Sequence, residues 1–230
     1  MKTRIYFFLL IPFLMSTASQ AQDIGQLVES VKAKLAKVNE YEARGKMKTN
    51  VSFLKVPVAD ITVFFRKPDQ IKIKSDKGVS FIPKGAVSIN TGSLLKGNDY
   101  TVIDGGNEKI NGQDLRVARL LPNDDNSDVV LSTIYIDPVN MVIKKARTTT
   151  RENGTYELEM SYGKYISYGL PDKLIFSFNT KDYKLPKGVT FDFDDGTSAA
   201  PQPKSGPKKG RAEISFSSYK INQGISEAGF

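Results

Sequence analysis

Between Glu42 and Phe53 the chain alternates without a slip. Ala43, Gly45, Met47, Thr49, Val51 and Phe53 share one parity, and Glu42, Arg44, Lys46, Lys48, Asn50 and Ser52 share the other. Side chains of a strand point to opposite faces with period two, so this segment reads as a long strand with one apolar side and one charged, wet side. The pattern returns in Ile61-Val63-Phe65, Ile71-Ile73, Tyr156-Leu158-Met160-Tyr162, Leu174-Phe176-Phe178 and Ala212-Ile214-Phe216. Strands of this kind build a curved antiparallel sheet with an apolar inside. What fills that inside is the functional question.

Residues 1–21 read as a secretory leader. Lys2 and Arg4 form a basic start, Ile5 to Met15 an apolar stretch, and Ser19-Gln20-Ala21 the small residues of a cleavage site before Gln22. The apolar stretch is interrupted by Pro12 and falls short of the roughly 20 residues that a membrane-spanning helix needs. The expectation is an exported, periplasmic, monomeric protein that begins at Gln22.

Composition removes whole classes of chemistry. The chain has no Cys and no His. Without Cys there are no disulfides, thiol nucleophiles or lipid-modified cysteine. Without His there is no Ser-His-Asp triad and no common His-bearing metal site. No nucleophile–base constellation assembles from what remains, so an enzyme is the least supported class, and no cofactor is expected. The 33 basic and 25 acidic residues give a net charge of +8, but the lysines are spread along the polar faces of strands. That is a solvated surface rather than a nucleic-acid site. Asp124-Asp125 with Asp128, and Asp192 with Asp194-Asp195, lack the Gly and Glu of a calcium loop and read as solvated turns.

The spacing of Ile24, Leu27, Val28, Val31, Leu35 and Val38 predicts one helix over 23–38, with Asp23 and Gln26 resembling a capping box. Lys67-Pro68-Asp69 ends one strand and opens the next. Asp104-Gly105-Gly106-Asn107, Asn111-Gly112 and Asp137-Pro138 are turn signals, and Ser93 to Gly97 reads as a short helical turn. Asn153-Gly154 is the strongest hairpin signal, because a type I′ turn needs positive φ at both central residues. Asp194 to Gly210 is rich in Gly, Ser, Pro, Ala and Lys, and is expected to be a disordered insert in a single domain over 22–230.

Several phrases carry a family likeness. Phe64-Phe65-Arg66-Lys67-Pro68-Asp69-Gln70-Ile71-Lys72-Ile73 pairs a basic residue with Pro between two alternating strands. Ile134-Tyr135-Ile136-Asp137-Pro138 precedes Met141-Val142-Ile143-Lys144-Lys145. Leu170-Pro171-Asp172, Leu185-Pro186-Lys187-Gly188-Val189 and the ending Tyr219-Lys220-Ile221-Asn222 with Phe230 complete the set. Together with the leader and single amphipathic helix, these phrases resemble the LolA-like family of periplasmic lipoprotein carriers, as a divergent branch. Members best known in that family place Arg directly before the Pro, where it helps hold a lid shut. Here Lys67 stands there and Arg66 one residue earlier, on the opposite strand face, which speaks against a latch.

The resemblance implies a mainly β (α+β) fold, a half-open curved antiparallel β-barrel with the N-terminal helix over its concave apolar face. It also implies a carrier that binds acyl chains of lipoproteins or lipids and moves them toward the outer membrane. Its partners would be lipid-modified proteins or lipids, an inner-membrane releasing complex and an outer-membrane acceptor. On this reading Met47, Val51, Ile61, Val63, Phe65, Ile71, Ile73, Met160, Phe176 and Phe178 form the concave acyl-binding face. Leu27, Val31 and Leu35 form the covering stripe, and Phe81 and Ile82 a gating loop beside Pro83 and Gly85. If β-strands 61–65 and 71–73 form a hairpin, their patch is expected to lie under that stripe.

Two alternatives stay open at this stage. The same residues can form an ordinary dry core. The same fold can also serve as an envelope sensor or interaction domain that binds a peptide or partner strand. A small outer-membrane barrel, suggested by the terminal Phe230, lacks the apolar strand that such a barrel needs at its end.

Overall fold

The computed structural model describes residues 23–50, 58–68, 70–76, 95, 99–152, 154–179 and 209–225. The expectations for the leader, Val51, Phe53, Phe81, Ile82, the 185–191 phrase, residues 194–208 and Phe230 fall outside the described residues, as do those for Ser93–Gly97 apart from Leu95.

Among the described residues one helix, α1 (Ile24–Ala36), precedes ten strands. These are β1 (Glu40–Asn50), β2 (Ala59–Arg66), β3 (Gln70–Ser75), β4 (Tyr100–Ile110), β5 (Gln113–Pro122), β6 (Val129–Asp137), β7 (Val142–Thr150), β8 (Gly154–Ser161), β9 (Lys173–Asn179) and β10 (Lys209–Ile221). A 3₁₀ turn, Ile166–Tyr168, lies between β8 and β9. The strands form one antiparallel sheet in the order β3-β2-β1-β10-β9-β8-β7-β6-β5-β4. It is curved and unclosed, because β3 and β4 stand at opposite ends. The mainly β, half-open architecture is the expected one.

Residues α1 was expected to include at its ends act as its caps. The Asp23 carboxylate accepts from the Gly25 and Gln26 amides at 2.8 and 3.2 Å, satisfying two orphan donors of the first turn. The helix stops two residues short of Val38, whose side chain turns into the core instead.

Two turn expectations are corrected. Asp104–Asn107 is not a turn but a bulge inside β4, where pairing with β5 slips between Asp104 and Asn107. Gly106 takes φ +79°, the Asp104 carboxylate accepts from the Gly106 amide at 2.8 Å, and the strand continues to Ile110. A Gly pair supplies the backbone freedom that a bulge needs as readily as that of a turn. The two-residue turn with positive φ at both centres occurs at Asn111 (φ 51°) and Gly112 (φ 81°), joining Ile110 to its partner Gln113. Asn153–Gly154 is not that turn. The β7–β8 hairpin is there as expected, but Gly154 already belongs to β8 and pairs with Thr150, and Asn153 lies outside the described residues. The strand after the insert also begins earlier than expected, at Lys209.

The first and last strands meet in the middle of the sheet. β1 pairs with β10 from Tyr41–Ile221 to Asn50–Arg211, with a bulge where Arg44 faces Ser218 and Gly45 faces Phe216. A Cβ on Gly45 would stand 2.4 Å from the Ser215 carbonyl oxygen, a backbone atom that cannot swing away. Gly45→Ala is therefore expected to destabilise the fold by about 1–3 kcal/mol through overpacking, read from urea denaturation.

Candidate functional site

Register assigns the inner face residue by residue. From β2 it takes Ala59, Ile61, Val63 and Phe65, and from β1 their partners Met47, Gly45, Ala43 and Tyr41. β10 continues it with Tyr219, Phe216, Ile214 and Ala212, then β9 with Leu174 and Phe176. β8 adds Met160, Leu158 and Tyr156, and β7 adds Ala146 and Thr148. Ile134 and Ala118 carry it across β6 and β5. Among the described residues the face also buries polar tips, and two of its short hydroxyls, Ser132 and Thr148, pair with each other at 2.9 Å.

The face is continuous but its residues pack into two groups. Met160, Phe176 and Phe178 pack with Leu27, Val28 and Val31 of α1, and Leu35 leans on the same group. Met47, Ile61, Val63 and Phe65 pack instead with Val38, Tyr41, Leu170, Ile214 and Tyr219, with Ile71 and Ile73 half-buried beside them. Phe216 touches both groups and joins them.

This corrects the expected position of the helix. The patch of β2 and β3 does not lie under Leu27, Val31 and Leu35; α1 crosses the β4–β5 side of the sheet. The periodicity of α1 shows that it needs an apolar partner, but not which of ten strands supplies it. Over the other group lies the segment around the 3₁₀ turn. Tyr165 meets Tyr219 at 4.9 Å between ring centroids, and the Tyr219 hydroxyl donates to the Pro171 carbonyl at 2.7 Å. Tyr41 stacks on Phe65 at 5.3 Å and meets Tyr219 at 5.4 Å. Burial pushes the phenol pKa values of Tyr41 and Tyr219 well up, so both stay neutral and act as apolar rings with a polar tip. Tyr41, Tyr165, Leu170 and Tyr219 are site residues that sequence reasoning missed. Tyr219 sits on strand parity, but Tyr165 and Leu170 lie in a loop that carries no periodic signal.

Beneath α1 the described residues pack tightly. Phe65 and Phe176 are at most 2% exposed. The gap among Val31, Leu35, Met141, Val142, Ile143, Tyr162 and Gly169 measures about 150 Å³ of irregular space, with no room for a water molecule.

Three polar ties hold the C-terminal end of α1. The Lys67 ammonium donates to the Ala36 carbonyl at 2.6 Å and to the Asn39 side chain at 3.1 Å. The Asn222 amide donates to the Lys37 carbonyl at 2.8 Å, while its oxygen accepts from the Asn39 and Glu40 amides. Lys34 donates to the Asn140 carbonyl in the β6–β7 turn. The cation before Pro68 thus reaches the end of the helix, a tie that the Lys-for-Arg difference had spoken against. Arg66 points elsewhere, to the Glu40 carboxylate at 3.3 Å and the Ile225 carbonyl at 3.0 Å. Lysines at the last helical carbonyls also complement the helix dipole.

No family model matches the sequence, and comparison with curated proteins finds no match. Solved structures do resemble it. A domain of an outer membrane lipoprotein-sorting protein from Vibrio parahaemolyticus aligns with TM-score 0.50 at 14% identity, covering 90% of this chain and 96% of that one. A DUF1329 family protein from Desulfovibrio piger aligns with TM-score 0.52 at 11% identity, covering 89% and 95%. A LolA superfamily protein from Nitrosomonas europaea gives TM-score 0.48 at 10% identity, covering 87% and 96%. The chain shares its fold with the Vibrio domain and the DUF1329 family protein.

Two outcomes follow. Phe65→Ala is expected to cost about 3–5 kcal/mol in urea denaturation, the range for a large ring removed from a packed core. Lys67→Met is expected to cost only about 1 kcal/mol globally while raising hydrogen exchange of the α1 amides selectively, because it removes a tie at one helix end and no packing.

Proposed function

We propose that this chain is an exported carrier that shelters acyl chains of lipid-modified proteins, or of lipids, on the inner face of its sheet. The observation that carries this reading is the continuity of that apolar face from β2 to β5 beneath a helix that covers only one side of it. The acyl contacts would be Met47, Ile61, Val63, Phe65, Ile71, Ile73, Met160, Phe176 and Phe178, with Leu27, Val31 and Leu35 on the moving cover.

Magnitudes make the exchange feasible. Ile24, Leu27, Val28 and Val31 are the side chains α1 buries. At about 1.5–3 kcal/mol each they contribute on the order of 6–12 kcal/mol. An acyl chain gains about 0.8 kcal/mol per buried methylene, so a dozen methylenes supply about 10 kcal/mol. Lid and ligand are therefore comparable competitors for one face, and neither traps the other. Release and reloading need no covalent chemistry.

A second reading has one observation in its favour. Among the described residues β3 and β4 each pair on one side only, and such edges accept a partner's strand. A partner bound there would leave the inner face untouched.

The two readings separate in a titration with a fluorescent fatty acyl probe. The carrier reading expects saturable binding near one probe per protein, with faster uptake by Lys67→Met. Absence of probe binding by the folded parent protein would contradict it and favour the edge-binding reading.

A further inference from the structure

We propose that the rim where the C-terminal end of α1 meets the β6–β7 turn is a docking surface for an anionic phospholipid bilayer. The most exposed large apolar side chain among the described residues is Val139, at 83%, and it stands at the tip of that turn. The turn is built to hold it there. The Asp137 carboxylate accepts from the Val139 and Asn140 amides at 2.9 and 3.1 Å, and from the Asn140 and Gln113 side chains at 2.8 Å each. Val139 is therefore fixed in water at no ordering cost to any later contact.

A second exposed apolar group stands near the same helix end. Lys34 donates to the carbonyl of Asn140, next to Val139. The same lysine meets the 3₁₀ segment, because a Cβ at Gly169 would stand 3.7 Å from Lys34 Cδ, which places the exposed Tyr168 next to that helix end. Cations surround the pair: Lys34, Lys37 and Lys67 at the helix end, and Lys164 over the Tyr165 ring. Two acids nearby are engaged. Asp137 is buried among its four donors, and Glu40 is held by Arg66.

A protruding valine gains by leaving water, and a bilayer receives it without a shaped pocket. Tyrosine and lysines at the same rim suit the headgroup layer and its negative charge. A rigid acidic protein would satisfy the lysines but not Val139. The surface lies at the helix end whose release the carrier reading requires, and so extends that reading. It is tested without an acyl probe, so the two can fail separately.

The test is co-sedimentation of the full chain with vesicles of phosphatidylglycerol and phosphatidylcholine, against phosphatidylcholine alone. Binding is expected only with the anionic vesicles. Val139→Asp is expected to weaken it about tenfold, the effect of one small apolar side chain. Lys37→Glu and Lys164→Glu are each expected to weaken it at least about fivefold. The chain has no Trp, so Val139→Trp is a single reporter whose emission should shift to the blue on anionic vesicles. Equal partition to both vesicles, no binding to either, or full binding by Val139→Asp would overturn the proposal. So would binding to a soluble polyanion that anionic vesicles cannot displace.

Discussion

Pairing of β1 with β10 holds the rest of the structure together. It joins the β2–β3 hairpin to the long meander from β4 to β9, and it is the one junction in the sheet made by strands from the two ends of the domain. Through it the two apolar groups become one face, with Phe216 of β10 touching both. The ladder is irregular at its centre, where Gly45 leaves room for the Ser215 carbonyl. Closing so long a loop must precede its reward in burial, so this contact sets a high entropic demand on folding.

Most of the fold is legible in the sequence because the strands are amphipathic in a simple way. Met47, Ile61, Val63, Phe65, Met160, Phe176 and Phe178 are all buried on the face that parity assigns them. What period two cannot reveal is which strands lie beneath the helix. α1 displays its stripe plainly, yet sheet order and curvature decide that Leu27 and Val31 join the group of Phe176 rather than that of Phe65. Turn chemistry is ambiguous for a related reason. Asn111-Gly112 and Asn153-Gly154 are the same dipeptide, and only the flanking register makes the first a two-residue turn. Gly105-Gly106 likewise serves a bulge, because β5 pairs on both sides of it.

The candidate site was legible in its apolar floor and not in its fastenings. Lys67, Asn222 and Lys34 hold one helix end through backbone carbonyls, contacts that leave no periodic trace. Asn222 does so from the far end of the chain. These ties are polar, few and partly solvated, whereas the floor is dry and tightly packed. On the carrier reading, release of the cover breaks these ties and exposes the α1 stripe while the strand ladders stay paired. Val139 of the β6–β7 turn, Tyr168 and several lysines stand near the same helix end, so the proposed cover release and the proposed docking would share one location.

The central claim is that the inner face exchanges its helix for an acyl chain. Native mass spectrometry of the protein recovered from its own cell envelope tests this most directly. The account predicts a population carrying a lipid or an acylated protein, with a mass lost on delipidation. A single mass equal to the bare chain, from cells in which the protein is active, would contradict it.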